Sequence, residues 1–176
     1  MNKYRNYLNY GSMAGLAGFI AFIVYYAIGS NPYGNITWLT AWIPIVFIYL
    51  GTKRQRDTIL GGAMTYGQAF VGGLIISVIW ATLSGMLAYL FGTFIDASFV
   101  EMYQEEAYQG LEQAKGFMSE EMLEAAFEQI DKVTLSTMIQ GDVFNKIFGG
   151  LILSLIIAGV NKRKKDIFEV SEEQEA

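Results

Sequence analysis

The chain has 176 residues, of which 53% are hydrophobic and only 16% charged, and its formal net charge is −5. An average soluble domain is about a quarter charged, so this composition cannot keep a whole surface wet. It has no histidine and no cysteine, which excludes disulfides, thiolate nucleophiles, Ser–His and Cys–His triads, and nearly every zinc, copper or haem site.

Read in chain order, the apolar runs are long enough to span. A bilayer core of about 30 Å needs about 20 residues of helix. Residues 8–29 meet that length without a charge. Residues 36–51 are shorter and contain Pro44, so a re-entrant segment competes with a crossing. Residues 68–95 exceed the requirement and should tilt or project. Residues 143–160 complete the set, uncharged from Ile147 onward. An outer loop, 96–142, and a tail, 161–176, make up the rest of one membrane domain over residues 1–176. Ala27 and Gly29 imitate a signal-peptide cleavage site, but the apolar region exceeds the usual ~7–15 residues and its glycines are spaced for packing.

Charge decides the second run. Cytoplasmic loops collect Lys and Arg near span ends. Nine of the twelve basic residues fall at Lys3, Arg5, Lys53, Arg54, Arg56, Lys162, Arg163, Lys164 and Lys165. Four crossings put all nine on one side, with both termini cytoplasmic; a re-entrant second segment would strand Lys53–Arg56 outside. The outer loop holds eleven acids and two bases, a net of −9. Tyr4, Tyr7 and Tyr10 suit the inner interface, and Tyr25, Tyr26, Tyr33 and Trp38 the outer. The KRKK run is explained by anchoring to anionic inner-leaflet lipid, not by nucleic acid.

In lipid, helices associate through close backbone approach and interhelical hydrogen bonds. Gly11, Gly15 and Gly18 mark span one, with Ala14 offering a second step. Gly73, Ser77, Ala81 and Gly85, continued by Ala88 and Gly92, mark span three, and Gly150, Ser154 and Ala158 span four. Two readings follow: a bundle with spans one, three and four at its centre, or a homodimer seam along span three. Trp42, Phe47 and Tyr49 of span two read as lipid-facing bulk.

Within the outer loop, Ser119 before Glu120 and Glu121 signals a helix start. Met118 and Leu123 are spaced for a hydrophobic staple. Met122, Leu123, Phe127, Ile130 and Val133 then form one helical face. Phe99, Tyr103, Ala107 and Leu111 repeat at four-residue steps upstream. Two amphipathic helices broken near Gly116 are expected, either capping the outer side or lying on the bilayer.

Candidate chemistry is sparse. "GAMTYGQA", residues 62–69, has the glycine spacing of a phosphate loop, but Gln68 and Ala69 replace the Lys and Ser/Thr that the mechanism needs. Thr65 and Gln68 fit a capping box instead. Glu120, Glu124 and Glu128 share a helical face without the loop pattern of a calcium site. Lys146 is a charge inside a proposed span, with Asp142 one turn before it, and reads as a helix-terminal ion pair. Asn145, Asn35 and Asp96 are candidates for a small polar cluster at the outer ends. No catalytic, cofactor-binding or metal-ligating residue is assigned, and no cofactor is expected.

The stretch "GTKRQRDTILGGAMTYGQAFVGGL", residues 51–74, resembles a bacterial domain-of-unknown-function family of small four-span membrane proteins, found mostly in Bacteroidota. The likeness rests on Gly51, Lys53, Arg54, Arg56, Asp57, Gly61, Gly62, Tyr66, Gly67, Ala69 and Phe70. It extends to "GFMSEEMLEAAFEQI" and the closing "GGLILSLIIAGVNKRKK". Related chains carry a proline near the start of span four, where this one reads "STMIQGDVFNK", leaving the start of that helix open. The resemblance implies the topology and no activity. The expectation is an all-α, multi-pass bundle in the cytoplasmic (inner) membrane with an amphipathic helical cap between spans three and four. It is read as a non-enzymatic scaffold or accessory protein partnered by lipid, by its own copies or by another membrane protein, and not by nucleic acid. A small oligomeric transporter or channel is the alternative.

Overall fold

A computed structural model describes residues 3–164. Six α-helices follow in order: α1 (Lys3–Ala27), α2 (Trp42–Arg54), α3 (Tyr66–Phe94), α4 (Ser98–Ala114), α5 (Glu120–Asp131) and α6 (Leu135–Asn161). A 3₁₀ turn, Asn35–Thr40, leads into α2, a π turn, Gln55–Ile59, prolongs it, and a 3₁₀ turn, Lys115–Phe117, separates α4 from α5. The architecture is all-helical. Four helical stretches are long and apolar enough to cross a membrane: Tyr4–Ala27, Asn35–Ile59, Tyr66–Phe94 and Leu135–Asn161.

The second crossing is longer than residues 36–51, for two reasons. Pro44 sits in the first turn of α2, where its missing N–H has no helical partner to lose. Upstream of it the backbone winds as 3₁₀. Downstream, Leu60 N donates to Gln55 O at 3.0 Å, the wider turn that carries the helix through its charged end. The resulting 25 residues exceed the span requirement. The fourth helix likewise starts at Leu135, upstream of the apolar run at 143, which shortens the outer loop from 96–142. Thr134 starts it with a capping box: its hydroxyl accepts from Thr137 N at 3.3 Å, and Thr137 Oγ1 accepts from Thr134 N at 2.9 Å. No proline is needed there.

α3 is the central helix, packed on α1, α2 and α6. Its small-residue stripe lies against α6, so it is a seam within the chain and is not free to pair with a second copy. A Cβ on Gly73 would stand 2.7 Å from Ser154 Oγ, and one on Gly150 would overlap Ser77. On the α1 side, a Cβ on Gly11 would meet Ile79 Cβ at 2.6 Å. Leu8, Leu16, Ile20 and Val24 form the outward face of α1. Trp42 is exposed as expected, but Tyr49 packs beside Tyr7, Ile48, Ile76 and Ile157 in the inner core.

Two polar sets mark the two ends. At one, Asn6 Nδ2 donates to Gly51 O at 2.9 Å and to Gln55 Oε1 at 3.2 Å. Asn161 Nδ2 donates there to Thr52 Oγ1 at 2.6 Å and to Tyr49 O at 3.2 Å. Met64 and Arg163 exchange two backbone hydrogen bonds at the same end. Both ends of the described chain therefore meet at this pole, with Arg5, Lys53, Arg54, Arg56 and Arg163. The tail from Lys165 onward, including its acidic stretch, lies outside the described residues.

At the other pole α4 and α5 fold back on each other over the bundle. The Tyr108 ring stacks on Phe127 at 5.6 Å, and Gln104 Nε2 donates to Ile130 O and Val133 O. Ser119 caps α5 by accepting from Met122 N at 3.3 Å. The hairpin is docked by Phe99, which is fully buried against Phe22, Phe91 and Met138. Two carboxylates add to this: Asp96 accepts from Tyr26 Oη, and Glu106 accepts from Asn31 Nδ2 at 2.7 Å and Asn35 N at 3.1 Å.

Candidate ligand cavity

At the basic pole a groove of about 620 Å³ runs beside Met64, Tyr66, Gln68 and Arg163, and toward the other pole the helices themselves part. Between α1, the turn before α2, α3 and α6 they leave a cavity of about 460 Å³, within the about 300–1,000 Å³ of ordinary small-molecule sites. Phe19, Phe22, Ile43, Pro44 and Leu153 give it apolar walls. Ser84, Asp142, Asn145 and Lys146 give it one polar side.

The polar side follows from helix spacing. Asp142 and Lys146 are one turn apart on α6, and Lys146 Nζ donates to Asp142 Oδ2 at 2.7 Å. The ammonium also lies 3.4 Å from Ser84 Oγ and 5.9 Å from the centre of the Trp80 ring. With side chains 27% and 17% exposed, the pair is neither sealed in the core nor freely solvated. The ion pair expected at a helix end is thus present. Because α6 begins two turns earlier, it sits inside the helix and faces a cavity. Trp80 lines the same wall, and its Nε1 is buried with no hydrogen-bond partner among the described residues.

A second chamber of about 250 Å³ lies toward the cap, lined by Tyr103, Val133, Thr137, Met138 and Gly141. Tyr33, Asp142 and Asn145 line both chambers and so form the neck between them. Burial, reinforced by the Asp142 carboxylate, pushes the Tyr33 phenol well above its ordinary range, so its hydroxyl stays a donor at the neck.

Other candidates fall elsewhere. Asn35 and Asp96 do not join Asn145: each is bound into the docking of the cap through Glu106 and Tyr26. Residues 62–69 make a turn, with positive φ at Gly62, and then the capping box, Gln68 N donating to Thr65 Oγ1 at 3.2 Å. Glu120 and Glu124 are exposed along α5, and Glu128 accepts from Lys132 at 2.7 Å. Sequence reasoning did not single out Trp80 or the role of Tyr33. Trp80 is the one clue available, an indole among the small and aliphatic residues of span three.

A sequence family described as a protein of unknown function (DUF4199) matches residues 9–163. The chain belongs to the DUF4199 family. That match takes in α1 from residue 9 onward, the other three apolar helices, the cap and both chambers. No curated protein and no solved structure matches this DUF4199 chain.

Proposed function

We propose that this DUF4199 protein is a non-enzymatic accessory protein of the cytoplasmic membrane, and that the outer half of its bundle binds a small amphiphilic molecule. The observation that carries this reading is the cavity, whose apolar walls end at the Lys146–Asp142 pair and the Tyr33–Asn145 neck. Intramembrane charges mark functional sites when they face a cavity, and these two do. The basic pole is taken as cytoplasmic because lysine and arginine near span ends stay inside. The cap and cavity then face outward. Binding is preferred to passage because Tyr7, Ile48, Ile76 and Ile157 fill the core between the cavity and the basic pole.

Native mass spectrometry of the protein, gently extracted from its own membrane, tests the reading. A small-molecule adduct is expected on the native chain and not on Gly149→Phe, whose new side chain starts from a position with no atom within 4 Å and fills the cavity. Equal adducts on both chains would sink the cavity reading, and a stoichiometric foreign polypeptide without an adduct would return the function to scaffolding. The orientation is read separately, by labelling Arg54→Cys and Gly116→Cys, both exposed, from opposite sides.

A further inference from the structure

The two chambers specify the chemistry of the occupant, an inference that rests on the cavity reading above. The inner chamber offers Phe19, Phe22, Ile43 and Leu153 to an alkyl chain; the Thr37 and Thr40 hydroxyls on its wall already donate to Gly34 O and Thr37 O, and the Trp80 Nε1 is a single neutral donor. At its end the polar groups are concentrated: an ammonium and a carboxylate already 2.7 Å apart, an exposed amide and a phenol that remains a donor. Lys146 and Asp142 cancel in net charge while presenting both a donor and an acceptor. A head of net negative charge meets Asp142 and, beyond it, an outer loop rich in acids. A head of net positive charge meets Lys146 in a site of low dielectric, where an unpaired like charge is expensive. Only a head that balances donors with acceptors and carries no net charge matches the neck without leaving one partner of the pair opposed.

We infer that the site takes a net-neutral membrane amphiphile, zwitterionic or uncharged, with its polar head at the Tyr33–Asp142–Asn145 neck beside Lys146 and one alkyl chain in the inner chamber. The bilayer that surrounds the protein is its source. The cap chamber gives the head access to the outer surface.

The structure supplies a reporter. Of the three tryptophans, Trp80 and Trp38 line the inner chamber, Trp38 from its exposed rim, and Trp42 is exposed outside it; phenylalanine at Trp38 keeps a ring on that rim. In the full chain carrying Trp38→Phe and Trp42→Phe, Trp80 fluorescence is quenched on contact by brominated alkyl amphiphiles. Three probes of one chain length, with phosphocholine, sulfate or trimethylammonium heads, are titrated into nanodiscs of anionic lipid. Occupancy is compared at equal mole fraction in the bilayer. Gly149→Phe in the same background reports collisions from the bilayer alone.

The phosphocholine probe is expected to half-saturate at a mole fraction about tenfold below either ionic probe, since tenfold corresponds to one ordinary polar mismatch. Asp142→Asn is expected to move the preference to the sulfate head, and Lys146→Met to trimethylammonium, which a merely structural ion pair would not do. Saturable quenching that Gly149→Phe removes, but that is indifferent to the head, overturns this inference and leaves the cavity reading intact. Quenching identical in the native-cavity and Gly149→Phe proteins overturns both.

Discussion

The two halves of this bundle share close glycine contacts and differ in what fills the space between them. From the basic pole to the middle of the bundle, Gly11, Gly51, Gly73 and Gly150 each seat a side chain of the facing helix where a Cβ would overlap it, and the gaps at the pole are bridged by Asn6, Gln55, Thr52 and Asn161. At the cap pole Gly85 and Gly92 still bring α3 close to α6, but rings fill the α1 side: Phe22 packs edge-on to Phe91 and Phe99 at 5.5 and 5.1 Å, with Tyr33 nearby. Small residues let helices approach, and amides then find partners across the seam; large rings fill space but leave irregular volume around them. A cavity arises between the helices toward the second pole because its rings do not tile, whereas the free volume at the first is a groove beside the 62–69 turn, along Met64, Tyr66 and Arg163. The proposed site lies where packing is loose, and the tight pole holds the helices in register.

Neighbouring glycines on α6 give the largest contrast. A Cβ on Gly150 would overlap Ser77, whereas one on Gly149 meets no atom within 4 Å. Gly150→Leu forces α6 off α3 and is expected to destabilise by more than the ordinary overpacking cost of about 1–3 kcal/mol, seen as loss of the monodisperse peak in detergent. Gly149→Leu should leave that peak and raise thermal stability slightly, because leucine is the better helix former by just under about 1 kcal/mol. Equal behaviour of the two would mean that the tight and loose faces of α6 are wrongly distinguished.

The amide network comes next. Asn161→Leu removes the donor to Thr52 Oγ1 and Tyr49 O at the centre of the basic pole. Interhelical hydrogen bonds in membranes contribute about 0.6 kcal/mol on average and up to about 1.7, so a moderate fall in melting temperature is expected. Bromoalkyl quenching of Trp80 should be unchanged, since the cavity lies at the other pole. A shift in that quenching would show that the two halves are coupled.

Glu106→Gln tests the cap alone. Its carboxylate holds Asn31 Nδ2 and Asn35 N, tying α4 to the loop between the first two crossings. The glutamine keeps one acceptor and loses the charge, a change of about 1 kcal/mol. Amide hydrogen exchange in α4 and α5 should quicken about fivefold while that of α3 stays as it was. Acceleration in both regions would mean that the cap is integral to the bundle.

How much of this was legible follows the same division. The small-residue steps on spans one, three and four were readable because a four-residue repeat has one meaning on a helix. Their partners were not: the stripe from Gly73 to Gly92 could serve a second copy equally well, and only the fold puts α6 on it. The capping signals at Thr65 and Ser119 were local and therefore visible. The reach of the second crossing was hidden because its last turns carry Lys53, Arg54, Arg56 and Asp57, and hydropathy alone stops at Gly51. The Lys146–Asp142 pair was legible as a pair. Its place beside a cavity was not, because that depends on Trp80, Ser84 and Tyr33, which lie far from it in sequence.

The smallest effect is also the one that separates the poles by chemistry. Asp96 accepts from the Tyr26 hydroxyl first and from Ser98 N at 2.8 Å, and these bonds hold its carboxyl below the usual range. The folded state thus prefers the ionised form, so the stabilisation is fully present above the ordinary carboxylate pKa of about 3.9 and is lost as pH falls through the lower, folded-state value. The amides and threonine that lock the basic pole have no proton to gain in that window; the carboxylate beside them is Asp57, paired at 2.6 Å with Arg56, which donates to Asn161 O. Cap exchange is therefore expected to stay flat from neutral pH to about pH 5, once corrected for intrinsic rates, and to quicken only below about pH 4. Measured in the Glu106→Gln background, where the other clamp has no carboxyl, this step should disappear with Asp96→Asn. Measured with Asp57→Asn as well, which removes the carboxylate that pairs with Arg56 beside Asn161, an acid step of the same size at the Asn6 and Asn161 network would erase the distinction between an outer half held by carboxylates and an inner network held by amides.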